Sequence, residues 1–163
     1  MHHSANRRND IYLGNKANHV MKFTFEIEGL EKLQKRSAEI QKEAERQMAI
    51  ALLDSGFKIQ RDAQASIRQG NKTGALYRRR SKTHRASAPG EAPALDTGVL
   101  ANSISVQTQA STVNIFTRLK YAAWLEYGTR LIRPRPFMFP AFERNKKWIK
   151  ERIESAIQKA IRK

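Results

Sequence analysis

The chain has 163 residues, room for one domain with a modest core. It contains no cysteine, which excludes a disulfide framework, a thiolate nucleophile and a cysteine-ligated metal centre. Its 40% hydrophobic and 28% charged residues suit a chain that folds, while 31 Lys+Arg against 15 Asp+Glu leave a net charge of +16 and predict an anionic partner, nucleic acid or acidic protein.

Residues 1–20 are polar and show neither a period of 3.6 nor of 2, so a flexible extension is expected, with Met21 a candidate natural start. They lack the apolar centre of a secretory signal, and no apolar run reaches the roughly 20 residues of a membrane span. A cytosolic product without membrane contact is expected. Residues 21–28 alternate, with Phe23, Phe25 and Ile27 on one side and Lys22, Thr24, Glu26 and Glu28 on the other, predicting a half-buried strand closed by Gly29.

Residues 30–68 contain no proline, and Leu33, Ile40, Ala44, Met48, Leu52, Ile59, Ala63 and Ile67 recur on one helical face. A long amphipathic helix is expected, with Glu31, Lys35, Glu39, Lys42, Glu45, Arg46, Lys58 and Asp62 on its opposite face. Gly56 inside it marks a kink or a close-packing point. Residues 69–95 are rich in glycine, proline and small polar residues and predict a long mobile basic loop. Between residues 68 and 85, Arg68, Lys72, Arg78, Arg79, Arg80, Lys82 and Arg85 occur without one acidic residue, a run expected to repel itself and to order on contact with a partner.

Asp96 is placed to cap a short helical turn. A hairpin should follow, with Ile104, Val106 and Thr108 outbound, Gln109, Ala110 and Ser111 at the turn, and Val113, Ile115 and Thr117 returning. Residues 121–127 predict a short helix ending at Gly128, with Tyr121, Trp124, Leu125 and Tyr127 at a spacing that favours core packing over an exposed interface. In residues 133–140 the prolines enforce an extended strap, and Phe137, Met138 and Phe139 cannot all face one core, so at least one should meet a neighbouring subunit. Pro140 suits the first turn of a last helix whose apolar face is Phe142, Ile149, Ile153, Ala156, Ile157, Ala160 and Ile161. The expected fold is α+β: a small antiparallel sheet packed by a long N-terminal helix and a C-terminal helix, with a long basic loop, in one domain over residues 21–163.

No enzyme is expected. His2, His3, His19 and His84 have no metal-binding spacing, and Asp54, Asp62 and Asp96 read as a solvated helix face plus a cap rather than a magnesium cluster. Gly70 and Gly74 match no phosphate-binding loop, and Ser103 and Ser105, read as strand residues, have no histidine placed to activate them. No cofactor is implied. Arg78, Arg79, Arg80, Lys82 and Arg85 could grip DNA phosphates or an acidic groove, or could simply be solvated. The basic residues of the last helix read as a solvated face.

Three stretches, SAPGEAPALDTGVLANSI at 87–104, YAAWLEYGT at 121–129 and RPRPFMFPAF at 133–142, resemble in sequence and order the head-to-tail joining, or tail-completion, family of long-tailed bacteriophages. The resemblance runs from about residue 21 to the C-terminus. It implies a structural neck subunit of the virion, in a ring around the DNA channel, expected to be a hexamer, with the tail terminator, the head-completion ring and genomic DNA as candidate contacts. Glu126, Tyr127, Arg133, Arg135, Phe137, Met138 and Phe139 would then be subunit-interface residues, with the arginines free to pair with carboxylates across the contact. A tail terminator, a basic DNA-binding protein and a packaging-associated nuclease are the competing readings.

Overall fold

A proline-free stretch with apolar residues every three or four positions satisfies its own backbone as a helix and needs one face covered. In the computed structural model, which describes residues 21–26, 38–79, 81–109 and 111–162, this stretch forms α1, Ala38–Gln69. Ala44, Met48, Leu52, Ile59, Ala63 and Ile67 are buried along it as the spacing requires, while the expected positions from 30 to 37 lie outside the described residues. Before it comes β1, Met21–Glu26; after it come β2, Leu76–Arg79, and β3, Lys82–Arg85. The chain continues through α2, Val99–Ser103, β4, Ser105–Gln109, and β5, Thr112–Thr117. It ends with α3, Lys120–Tyr127, and α4, Met138–Ile161. The fold is α+β, as expected.

The larger sheet has the order β1-β5-β4, antiparallel throughout, with Phe23 opposite Ile115 and Val106 opposite the same residue from the other side. Central β5 buries Val113, Ile115 and Thr117. Thr24 Oγ1 donates to Asn114 Oδ1 at 2.7 Å, tying β1 to the centre of the sheet. The alternation expected of Phe23, Phe25 and Ile27, and residues 1–20, fall outside the described side chains or residues.

Helix α1 lies between this sheet and α4. Its approach to the sheet is set at Gly56: a Cβ there would stand 2.6 Å from Val106 Cγ1 and 2.7 Å from Val113 Cγ2. Gly56 is therefore the close-packing point. On the other side, α4 runs antiparallel to α1, because its later residues meet earlier ones of α1. Arg152 donates to Asp54 Oδ2 through Nε at 3.0 Å and through a terminal nitrogen at 2.6 Å. Asn145, nearly fully buried, donates to Asp62 Oδ2 at 2.6 Å, and Lys58 lies 5.4 Å from the Trp148 ring centroid. Asp54 and Asp62 thus hold two helices together, correcting the solvated face expected of them. Further along, Met48, Ala51 and Ala156 form a small second apolar cluster.

Two local expectations change. Residues 69–95 are not a featureless loop: β2 and β3 pair as a separate two-stranded ribbon, Leu76 opposite Arg85 through Arg79 opposite Lys82. Backbone pairing is indifferent to side-chain hydropathy, so a basic polar run can form it while its side chains stay in water. The position that opens α2 is Gly98, at φ 82°, rather than Asp96, and Ser103 closes that helix instead of starting a strand.

Gly56→Val should lower thermal stability by about 1–3 kcal/mol through overpacking against the sheet. Adding Val106→Ala should recover part of the loss; a double mutant whose melting temperature shows no such coupling would remove Gly56 as the contact that sets the helix-to-sheet distance.

Candidate interaction surface

Helix α3 divides its residues by height. Ala122 and Glu126, four apart, are buried, while Tyr121, Trp124 and Tyr127 are 39%, 47% and 52% exposed. A buried carboxylate needs donors. Glu126 Oε2 accepts the backbone N–H groups of Phe137 at 2.8 Å and Met138 at 3.1 Å, and Oε1 accepts that of Phe139 at 2.7 Å. These are opening N–H groups of α4, which has no side-chain cap of its own. Glu126 therefore caps α4 from a different helix, placing negative charge where the aligned peptide dipoles favour it.

The turn between the two helices depends on Gly128, at φ 75° and ψ 179°, a backbone region open essentially to glycine alone. A Cβ there would lie 2.7 Å from the Ile132 carbonyl oxygen. Thr129 N donates to that same oxygen at 2.8 Å, and Thr129 Oγ1 accepts the N–H groups of Leu131 and Ile132. Arg135 N then donates to Leu125 O at 2.6 Å, returning the strap to α3.

The 87–104 stretch joins the same junction. Gly90 N donates to Pro134 O at 2.9 Å, and Arg135 Nε donates to the carbonyl of buried Ser87 at 3.1 Å. Three stretches separate in sequence therefore meet in one hydrogen-bonded knot. Beside it opens a cleft of about 380 Å³, lined in part by Ile67, Tyr77, Leu95, Tyr121, Leu125 and Arg135.

The expected interface residues divide accordingly. Tyr127, Arg133 and Phe139 are exposed. Glu126, Phe137 and Met138 are buried inside their own subunit, so they support the surface from below and do not line it, a correction that follows from the capping bonds. Arg135 is half-buried and holds Ser87 rather than standing free. The strap is shorter than expected, because Met138 and Phe139 already belong to α4. Core packing was expected of Tyr121, Trp124 and Tyr127; their exposure corrects it, since the buried side of α3 is taken by Ala122 and Glu126. Leu131, 86% exposed, and Ile132 are surface residues that periodicity could not reveal, although an apolar pair inside a Gly-Thr to Arg-Pro turn was the available signal.

The basic ribbon stands on a fastened base. Gly74 N donates to Ala86 O and Ala86 N to Ala75 O. Lys72 Nζ donates to the carbonyls of Ser66 at 2.9 Å and Ala92 at 2.7 Å. Burial pushes its pKa down, and the Glu91 carboxylate partly opposes this. Glu91 accepts the Thr73 hydroxyl and the backbone N–H groups of Thr73 and Ala88. The Thr73 hydroxyl first, then the two N–H groups, hold the Glu91 carboxyl below the usual carboxylate range. Above, Tyr77 stacks on His84 with ring centroids 5.9 Å apart. Arg78, Lys82 and Arg85 are exposed; Arg79 lies in β2, opposite Lys82, and Arg80 lies outside the described residues.

Two outcomes are expected of these carboxylates. Glu126→Gln should destabilise the fold by about 2–4 kcal/mol, because an amide accepts fewer of the three donors and gives up the charge-assisted bonds. A melting temperature within a degree or so of the parent would refute the capping role. Glu91, whose folded pKa is depressed, contributes stability that is present above its unfolded value and lost as pH falls through the folded one. An NMR titration of its carboxyl carbon should therefore show a midpoint below 4.5, and Thr73→Ala should move that midpoint upward.

Among the described residues no group of three or more His, Cys, Asp or Glu is placed to hold a metal ion, and no helix is long and apolar enough to cross a membrane. No curated protein and no solved structure gives a significant match to the chain. A family model described as "Bacteriophage HK97-gp10, putative tail-component" matches residues 31–128, from α1 through α3 to Gly128. That span holds the 87–104 and 121–129 stretches except its last residue, and the strap follows directly, bonded to both. With more than half of its length matched, the chain belongs to the HK97-gp10-like family of bacteriophage tail components.

Proposed function

We propose that this chain is a non-enzymatic structural subunit of the phage neck, completing the tail and joining it to the DNA-filled head. Copies form a ring, taken as a hexamer, around the DNA channel, with the tail terminator and the head-completion protein as neighbours and the genome passing through. The subunit is assembled in the host cytoplasm, resides in the virion and needs neither cofactor nor membrane.

The observation that carries this reading is the exposed set Tyr121, Trp124, Tyr127, Leu131, Ile132 and Phe139 around a junction of three hydrogen-bonded stretches. Aromatic residues at protein surfaces are enriched in interface centres, where they bury large area at low entropic cost. A rigid base beneath them reduces the ordering that association would otherwise require. Closure of a ring needs two different surfaces on each subunit; this junction is one, and Arg133 at its edge adds a cation that can meet a carboxylate.

Electron microscopy of a lysate from phage lacking this gene tests the reading. Separate DNA-filled heads and tails of normal length are expected. Overlong tails would make the protein the terminator instead, and intact infectious virions would overturn the neck assignment.

A further inference from the structure

Among the described residues, the β2–β3 ribbon is outside both apolar clusters and pairs with no other strand. Two four-residue strands are marginal in water by themselves. Here Lys72, Gly74 and Glu91 fasten both feet, although no described ribbon residue belongs to either cluster. What it presents is positive charge. The register sets Arg79 opposite Lys82.

The cations of this region are not equivalent. Arg68 donates to Asn102, Lys72 to two carbonyls and Arg85 to Gly74 O. Among the described residues, no hydrogen bond or ion pair holds the guanidinium of Arg78 or the ammonium of Lys82. The other basic surface differs: on α4, Lys146, Lys147 and Lys150 lie 3.7–3.9 Å from Glu143, Glu151 and Glu154, and Arg152 is bound to Asp54. The ribbon lies in a stretch, residues 63 to 90, that contains no acidic residue.

We propose that the ribbon is a sequence-independent contact for the phosphate backbone of duplex DNA, made through Arg78 and Lys82, with Arg79 and Arg80 adjoining them in sequence. Two unfastened cations suit a partner that offers anionic acceptors along its whole length, about one charge per 1.7 Å of duplex axis. An acidic protein groove is a fixed constellation and would favour cations already held in place. Base reading is disfavoured, because Tyr77, the aromatic residue nearest the arginines, is already stacked on His84. Identifying the duplex as the packaged genome rests on the neck function proposed above; binding of bare duplex does not.

Fluorescence anisotropy of the full chain with a random-sequence duplex, titrated between about 50 and 200 mM salt, should show affinity falling steeply with salt. Arg78→Gln/Lys82→Gln should reduce the log–log slope by about 2, and Lys82→Gln alone by about 1. The charge-matched control Lys147→Gln/Lys150→Gln should keep the parental slope. Circular dichroism melts identify folded variants, and the single substitution serves if the double one unfolds. Parental chain that fails to bind at the low-salt end, or a ribbon variant with an unchanged slope, would overturn the proposal. A ribbon variant that binds duplex normally yet no longer joins heads to tails would assign the ribbon to an acidic protein partner instead. Intact virions from the gene-deletion phage would remove the neck reading and leave the ribbon's DNA contact standing.

Discussion

One carboxylate organises this molecule. Glu126 is buried, and its two oxygens accept three consecutive backbone N–H groups where α4 begins. A helix start enclosed in protein would otherwise leave donors unsatisfied, at roughly 1–3 kcal/mol each. Because the carboxylate belongs to α3, capping also fixes where α4 starts relative to the rest of the chain. From that starting point the register along α1 follows: Asn145 reaches Asp62, Trp148 lies by Lys58 and Arg152 reaches Asp54. Phe137 and Met138, drawn inward at the same place, fill the core beneath.

The other side of α1 is governed by the absence of a side chain. Gly56 lets the helix backbone approach Val106 and Val113 more closely than any Cβ would permit, so α1 is held between a sheet and a second helix. This packing leaves α3 and its turn at the edge, where one face of the short helix is taken by Ala122 and Glu126. Tyr121, Trp124 and Tyr127 remain outside for that reason. A hydrogen-bonded interior junction beneath an aromatic exterior is what the proposed association with other subunits would use.

Charge is distributed with the same economy. On α4, carboxylates lie beside Lys146, Lys147 and Lys150, and Asp54 of α1 binds Arg152. The ribbon differs in having no acidic residue among its basic ones. The proposed salt-dependent DNA contact and the proposed aromatic subunit contact therefore lie on different parts of one small domain.

The sequence by itself determined the class and order of elements. Alternation in 104–117, the 3.6-residue period in α1 and α4, and Gly128 at a helix end are local patterns, and each reflects backbone bonds made within a segment or to its neighbour. The three motif stretches were also legible as strings, and their order named the family. Only the tertiary structure decided what those residues do. Glu126, Phe137 and Met138 looked like surface residues, because nothing local says that donors eleven to thirteen positions away will surround a carboxylate. Tyr121, Trp124 and Tyr127 looked like core, because periodicity identifies a face without saying which face is covered. The basic stretch gave no sign of strands, since its ribbon is stabilised at its feet by Lys72 and Glu91, contacts that span 18 to 20 residues. Local patterns record how a segment satisfies its own backbone; burial and capping depend on which distant segment arrives, and only the folded chain brings that segment into contact.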